Sequence, residues 1–373
     1  MFFFDDGLRL LDLDLAVDAR QRQPRGFVSH AHFDHLAPHE LAFCTPTTAR
    51  FYRRRLGGDR LVHELPFREP FAWNDHRLTT FPAGHILGSA MLLVESPHLK
   101  LLYTGDFRLR PAATAEAADP PRADYLMMEA TFGLPKYRMP PRRQSLDQLT
   151  GILHTAIRAG QVPVIFAYVL GKAQEITRLL VDAGFHVRQH PAIYQLSREY
   201  ESAGCPLGKP HYDEYRTDSA ATPAATPVAT PVATPVEPVA TSVQPSAANA
   251  VSPNGADPRA ARRPEVFVFP PPGHRWGGPE LPADRVTIAV TGWSLDPQYR
   301  FKAGVDYAVP FSDHADFDEL LECVDRVAPR QIYCWHGQCR LVDELRDRGW
   351  DAHWLPSVRR PRPFRQTRQT RLF

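Results

Sequence analysis

The residues best suited to chemistry are three histidines and an aspartate that share six positions after an apolar run. His30, His32, Asp34 and His35 follow Gly26-Phe27-Val28 closely. Imidazole nitrogens and a carboxylate are the ligands that zinc and similar cations prefer. In an extended or turning segment, positions 30 and 32 project together while 34 and 35 point elsewhere. The spacing therefore predicts one loop that supplies ligands to two neighbouring metal ions.

Two later segments carry further ligand types on loops that follow apolar strands. His85 lies between Gly84 and Gly88, and Asp106 follows Gly105. Glycine lets the backbone approach a crowded site closely. A carboxylate at position 106 can bridge two cations and so reduce their mutual repulsion. We expect both segments to reach the loop over residues 30–35, which we call the metal loop.

The apolar pattern around these residues alternates strands with helices. Strands are predicted over 8–17, 25–29, 78–82, 91–94, 100–103, 125–129, 162–168, 266–269, 286–291, 307–309 and 331–335. Helices are predicted over 146–159, 172–183, 317–327 and 341–348. With 373 residues and 43% hydrophobic content, the chain should form an α/β protein of two domains.

Two segments have compositions that do not build a core. Residues 219–258 contain eight prolines, no aromatic residue and a Thr-Pro repeat, which predict a disordered or polyproline-like linker. Residues 359–373 contain six arginines and no acid, and they form either a phosphate-binding tail or a solvated one. The net charge of +2 is too small to predict nucleic-acid binding by itself.

The five cysteines are odd in number and form no C-x-x-C pair, which predicts reduced thiols and a cytoplasmic location. The N-terminus lacks the basic region of a signal peptide. The longest apolar run, 162–170, is too short to cross a bilayer. We therefore expect a soluble protein without a membrane partner.

The order of His30 to His35, His85 and Asp106 resembles the metallo-β-lactamase superfamily over roughly the first 130 residues. The resemblance implies an αββα sandwich with two divalent metal ions, zinc being favoured and manganese the alternative. The first ion takes His30, His32 and His85. The second takes Asp34, His35 and a later histidine, and Asp106 lies between the two. Asp18 matches a carboxylate that supports the metal loop from behind, although Asp12 and Asp14 lie on the same alternating face.

Three segments in the second half resemble the β-CASP branch of nucleases, and they contain Glu129, Phe311-Ser312-Asp313-His314 and Trp335-His336-Gly337. The resemblance implies that His336 is the last metal ligand. It also implies that Glu129 orients His314, which donates a proton to the leaving oxygen. Without the resemblance, the acids around His314 equally predict a cap for the helix over 317–327.

The resemblance also divides the chain. It implies a metallo-β-lactamase domain formed by residues 1–140 and 286–358, interrupted by an α/β β-CASP-like insert over 141–285 that carries the Pro/Ala/Thr-rich segment. The basic tail follows at 359–373. Ala130 stands where the family commonly has serine.

Residues 131–138 and 164–175 are similar to the bacterial DNA-ligase-associated exonuclease group. The second stretch is a strand, a glycine turn and a helix. The backbone N–H near Gly171 and the Lys172 ammonium are therefore predicted to receive a phosphate. Ser312 is predicted to contact substrate as well.

The resulting prediction is hydrolysis of DNA phosphodiesters, by an exonuclease that acts in DNA processing or repair beside a DNA ligase or another repair protein. The expected chemistry is attack on phosphorus by a hydroxide that two zinc ions would activate, with Asp34, Glu129 and His314 as the predicted catalytic residues. An RNA-processing nuclease is the first alternative. A hydrolase of small esters, lactones or thioesters is the second, and a non-catalytic nucleic-acid-binding subunit is the third.

Overall fold

The computed structural model describes residues 2–4, 7–216, 263–272 and 279–357, which form strands and helices in alternation. The predicted linker over 219–258 and the basic tail over 359–373 lie outside these ranges. Within them, no helix combines the length and apolar character needed to cross a bilayer. The predicted mixed α/β class is confirmed.

Sheet A has six strands in sequence order, antiparallel from β1 to β3 and parallel from β3 to β6. Its strands are β1 (Phe2–Phe4), β2 (Leu8–Leu10), β3 (Leu15–Val17), β4 (Arg25–Phe27), β5 (Leu41–Cys44) and β6 (Val62–Glu64). Helix α1 (Pro46–Leu56) begins where the Thr45 hydroxyl caps the backbone N–H of Thr48 at 3.1 Å. Because β4 ends at Phe27, the metal loop starts at the carboxyl end of an inner strand of this sheet.

Sheet B has seven strands in the order β19-β18-β11-β10-β9-β8-β7. They are β7 (Phe71–Trp73), β8 (His76–Pro82), β9 (Ala90–Glu95), β10 (Lys100–Tyr103), β11 (Tyr125–Ala130), β18 (Gln331–Gly337) and β19 (Ala352–Trp354). Strands β8, β10, β11 and β18 run in the same direction, so their carboxyl ends meet at one edge. In the sequence, helix α6 (Phe317–Val327) precedes β18 and helix α7 (Leu341–Asp347) follows it.

Sheet C is wholly parallel and has the order β14-β13-β15-β12-β16-β17. Its strands are β12 (Val162–Phe166), β13 (His186–Gln189), β14 (Tyr212–Glu214), β15 (Glu265–Phe269), β16 (Arg285–Val290) and β17 (Tyr307–Val309). Its helices are α2 (Arg142–Arg158), α3 (Lys172–Asp182), α4 (Pro191–Ser202) and α5 (Tyr299–Ala303). The sheet thus continues past residue 285, the boundary predicted from the sequence, because β16 pairs with β12 and β17 pairs with β16.

Alternating side chains of the sheet B strands enter two different cores. Leu92 packs with Phe27 of sheet A between the two sheets, whereas Leu93 packs with Phe317 of α6 on the other face. A third core joins α1 to sheet C and its helices, with the rings of Phe51 and Tyr200 5.3 Å apart. The strand ends that carry the metal-ligand residues lie where these cores meet.

The largest difference from the predicted elements is at residues 8–17, which were predicted as one strand. The chain instead turns through a short 3-10 helix at Leu11–Leu13, and Asp14 adopts a left-handed conformation (φ 48°). β2 and β3 therefore form an antiparallel pair. This reversal brings the following residue Asp18 back beside the metal loop.

Candidate metal centre and active site

Three imidazole nitrogens converge behind the metal loop. His32 Nδ1 lies 3.1 Å from His30 Nε2 and 3.2 Å from His85 Nε2, and Asp106 Oδ2 lies 3.6 Å from His30 Nε2. Burial lowers the pKa of His85 to about 3 and lowers that of His30 as well, so both rings are neutral near pH 7. A neutral imidazole carries only one N–H, so the facing nitrogens of these three rings present lone pairs to one another. A cation bound between them would accept those lone pairs. This donor set fits a divalent metal ion.

A second group of ligand types lies on the other side of Asp106. Asp34 Oδ2 is 3.7 Å from His35 Nε2 and 3.8 Å from His336 Nε2. The same His35 nitrogen is buried and finds no hydrogen-bond partner among the described residues, although Asp106 Oδ2 lies 3.2 Å away. A buried nitrogen without a hydrogen bond is costly unless something else occupies its lone pair. This group also fits a divalent cation.

Asp106 joins the two groups. Its Oδ2 faces His30 and His35, while its Oδ1 is 3.2 Å from His336 Nδ1 in a hydrogen bond. Burial alone would raise the pKa of this carboxyl, but His35 and the other nearby imidazoles hold it well below its usual range. The side chain is therefore an ionised carboxylate at the position expected of a bridging ligand.

An irregularity in sheet B aims His336 at this site. Glu129 pairs with Trp335, but the next residue, Ala130, pairs with Gly337, so His336 is the extra residue of a bulge. His336 has a positive φ of 50°, which is unusual for a non-glycine residue. Gly337 has no room for a side chain, because a Cβ would lie 2.2 Å from the carbonyl oxygen of Ala130. The bulge turns His336 towards Asp34 and Asp106.

Asp18 supports the second group from behind. Its Oδ2 lies 2.9 Å from His35 Nδ1 and accepts a hydrogen bond from the Tyr103 hydroxyl at 2.8 Å. It also accepts hydrogen bonds from the backbone N–H and the hydroxyl of Ser29, which precedes the metal loop. The carboxylate fixes the proton of His35 on Nδ1 and leaves Nε2 available to a metal. Asp14, by contrast, forms an exposed ion pair with Arg25.

We expect Asp18→Asn to weaken zinc binding by the His35 group about 10- to 100-fold, the usual cost of losing a partner that orients a ligand. The amide has one accepting oxygen and cannot serve all four donors around it. Competition against chelators of graded affinity measures the constant. Asp14→Asn is the matched control and should leave it unchanged. Equal affinities for both variants would contradict this role of Asp18.

Glu129 and His314 form a buried pair beside Asp106. Glu129 Oε2 lies 3.0 Å from His314 Nδ1, and its Oε1 accepts the backbone N–H of Phe107 at 2.8 Å. Burial works against the charged imidazole, but the carboxylates of Glu129 and Asp106 raise the pKa of His314 to about 9. The residue that caps helix α6 is Asp316, because its side chain accepts a hydrogen bond from the backbone N–H of Glu319 at 2.9 Å. His314 is therefore placed to hold a proton near the metal-ligand groups.

A cleft of about 410 Å³ opens over both groups. Its walls include Asp34, Asp106, His314 and His336. Arg55 of α1 also lines it, stacked 3.6 Å from the centre of the Phe33 ring. The cleft thus gives solutes access to four of the predicted ligands and to the predicted proton donor, namely His32, Asp34, Asp106, His336 and His314.

The three residues predicted to contact substrate have partners inside the protein. The Gly171 N–H donates to Gln174 Oε1 at 2.7 Å, and Lys172 Nζ lies 2.9 Å from Asp313 Oδ1. The Ser312 hydroxyl accepts the His314 N–H at 3.0 Å and is buried. Only Lys172 of the three lines the cleft over the metal-ligand groups. These groups have partners within the protein, and their contact with a phosphate stays a prediction.

Several supporting residues were not recognised in the sequence. Tyr103 and Ser29 contact Asp18, and Glu175 of α3 forms an ion pair with Arg142 at 3.0 Å. Arg142 also donates to the backbone carbonyl of Ser312 at 2.9 Å. Their contacts depend on residues far away in the chain, and common residue types at unremarkable spacing give no signal of them.

Known proteins match either a segment of this chain or most of its length. Residues 298–355 match the family described as "Zn-dependent metallo-hydrolase RNA specificity domain". A probable DNA ligase of Opitutus terrae (strain DSM 11246 / JCM 15787 / PB90-1) is 36% identical over 94% of this chain and 30% of its own length. Cleavage and polyadenylation specificity factor subunit 3 of Dictyostelium discoideum is 29% identical over 42% of this chain. Endoribonuclease YSH1 of Mycosarcoma maydis is 34% identical over 38% of this chain.

This chain spans 30%, 19% and 15% of the lengths of these three relatives, respectively. The matched family segment contains His314 and His336, two of the residues that the fold brings to the cleft. The His and Asp groups on both sides of Asp106 support binding of divalent metal. These matches support the assignment of this chain to the β-CASP branch of the metallo-β-lactamase superfamily.

Proposed function

We propose that this chain hydrolyses phosphodiester bonds of DNA with two zinc ions, as an exonuclease in DNA processing or repair. The observation that carries the proposal is the pair of ligand groups that share Asp106, with His314 beside them at the base of an open cleft. In the proposed assignment, His30, His32 and His85 hold the first ion. Asp34, His35 and His336 hold the second.

When bound, two divalent cations supply an activated water at neutral pH and stabilise the charge that develops on the phosphate. The protein adds a positioned acid. His314 Nδ1 faces Glu129, so Nε2 is left to donate a proton to the leaving oxygen. Glu129 keeps the ring in this orientation, because the Phe107 N–H anchors its other oxygen. Asp34 is half exposed at the cleft wall, where it can orient the attacking water.

The pH dependence of turnover tests this proton donor. The acid form of His314 is lost as the pH rises through its pKa, which Glu129 raises; turnover should therefore fall on the alkaline side. Glu129→Gln removes the charge, so the alkaline limb should move to lower pH while two metals remain bound. A kcat profile against pH measures the shift, with the exposed Glu69→Gln as control. A limb that stays in place would contradict the assignment.

The fold and partner are part of the proposal. Sheets A and B, which share a core, are the proposed β layers of an αββα sandwich, and the segment from residue 141 through sheet C is the proposed insert. The similarity to a probable DNA ligase covers 94% of this chain, which supports a DNA ligase or another repair protein as the partner. The cytoplasm is the proposed location.

An RNA-processing nuclease is the second candidate. It is favoured by the description of the matched family and by the names of the relatives that cover 38% and 42% of this chain. DNA is preferred because the probable DNA ligase matches more of the chain at higher identity.

Parallel time courses with end-labelled DNA and RNA strands of one sequence distinguish the two candidates. The chain is incubated with added zinc or manganese, and single- and double-stranded forms are compared. We expect DNA to be shortened stepwise from one end. Preferential cleavage of RNA would favour the second candidate, and internal cuts would contradict the exonuclease assignment.

A further inference from the structure

A turn of the proposed insert contacts a ligand residue of the first metal group. The turn, residues 168–172, connects β12 to α3, and we call it the insert turn. The carbonyl oxygen of Leu170 lies 3.0 Å from His32 Nε2. A carbonyl accepts only, so it fixes the His32 proton on Nε2 and leaves Nδ1 to face His30 and His85. The insert therefore orients a ligand that lies 138 positions earlier in the chain.

A second carbonyl orients His85, another ligand residue of this group. The backbone oxygen of Asp313 lies 2.9 Å from His85 Nδ1, so the proton is held there and Nε2 faces His32. Asp313 belongs to the loop that carries His314. Two of the three histidines of the first group are thus held by carbonyls from different parts of the chain.

One buried ion pair joins the two carbonyl-bearing segments. Lys172 at the end of the insert turn places Nζ 2.9 Å from Asp313 Oδ1, and each side chain is only 4% exposed. A buried charge that loses its partner is strongly unfavourable, so removal of either group should displace the other segment. The Lys172–Asp313 pair therefore fixes the distance between the Leu170 and Asp313 carbonyls.

The insert turn is also held from its other side. Gly171 has φ 88°, and a Cβ there would lie 2.2 Å from Ile86 Cγ2, next to His85. Gln174 accepts the Gly171 N–H and donates to the Val169 carbonyl at 3.1 Å. These contacts press the turn against the segment that carries His85, so a change at Lys172 acts on a closely packed site.

We propose that Lys172 and Asp313 are positioning residues for the first metal ion. Their buried ion pair fixes the positions of the Leu170 and Asp313 carbonyls, which orient His32 and His85. Lys172 then contributes to metal affinity and makes no contact with substrate. The insert completes the metal site as well as covering it. This inference rests on the proposed metal site but not on which polynucleotide is cleaved.

Zinc binding to metal-free protein tests the proposal without any nucleic acid. Competing chelators of graded affinity resolve two zinc constants for the parent chain, Lys172→Met, Asp313→Asn and the double variant. We expect each single change to weaken one constant about 10- to 100-fold and to leave the other unchanged. The double variant should be no weaker than the worse single one, because both changes break the same link. Lys172→Arg keeps the charge and should restore most of the affinity.

Lys100→Met is the matched control, since the Lys100 side chain is about half exposed and forms its ion pair with Glu95 at 2.8 Å. It should change neither constant. Unchanged zinc constants in Lys172→Met, with weaker DNA binding, would make Lys172 a phosphate contact and overturn the proposal. Additive losses in the double variant would overturn the coupling. Equal weakening of both constants, with a lower unfolding temperature of the metal-free double variant, would show only a scaffold role.

The zinc constants also separate this inference from the proposed function. If the chain cleaves no nucleic acid, the two constants and their response to Lys172→Met can still agree with the positioning role. If cleavage is found but Lys172→Met binds zinc like the parent chain, the positioning role is wrong and the nuclease assignment stands.

Discussion

Replacing Asp106 with Asn is expected to reduce DNA cleavage by at least about 10³-fold, the upper end of the loss when one preorganised transition-state contact is removed. The carboxylate lies 3.2 Å from His35 Nε2 and 3.6 Å from His30 Nε2, so both ligand groups depend on its charge. An amide brings one oxygen and an N–H₂ group that cannot bind a cation. At least one zinc per chain should therefore be lost.

Atomic spectrometry of the desalted variant, together with an end-labelled cleavage assay, measures both effects. Asp119→Asn is the matched control, because Asp119 pairs with Arg68 at 2.8 Å on the surface. It should keep two metals and full activity. An Asp106→Asn variant that retains both metals and cleaves DNA at the parent rate would contradict the bridging role.

Replacing His314 with Ala is expected to reduce kcat about 10²- to 10⁴-fold, the usual contribution of a positioned acid. His314 Nδ1 is 3.0 Å from Glu129 and 3.9 Å from Asp106 Oδ2, so the ring lies beside the ligand groups. In our assignment it donates a proton and binds no metal. Two zinc ions should therefore remain bound, and KM should change little.

A substrate that needs no proton on its leaving group isolates this role. Hydrolysis of a p-nitrophenyl phosphodiester releases p-nitrophenolate, which is a stable anion, so His314→Ala should cleave this substrate at nearly the parent rate while natural DNA is cleaved slowly. The exposed His98→Ala variant should cleave both substrates normally. Equal losses on both substrates would contradict proton donation, and loss of a metal would make His314 a ligand.

The local parts of the site could be predicted from the sequence. His30, His32, Asp34 and His35 share one loop, and their types and spacing alone indicate metal binding. Strand ends are also local signals, so the loops of His85 and Asp106 could be placed after β8 and β10. The mixed α/β class followed from the same alternation of patterns. Elements with weak apolar patterns, such as α1 and α4, were not predicted.

Contacts between distant segments could not be predicted in this way. The bulge that aims His336 depends on how β11 pairs with β18, some 200 positions later. Lys172 and Gly171 have the residue types of a phosphate-binding turn, but the fold supplies Asp313 and Gln174 as their partners. A sequence pattern shows which groups a segment offers, whereas tertiary packing decides which of them remain available.

The most direct test of the two-metal account is a zinc titration of chelator-treated protein in which DNA cleavage is measured at each addition. We predict no cleavage without metal and a plateau at two zinc ions per chain, because the ligand groups on both sides of Asp106 must be filled. A plateau at one zinc ion per chain, or cleavage by the metal-free protein, would contradict the account.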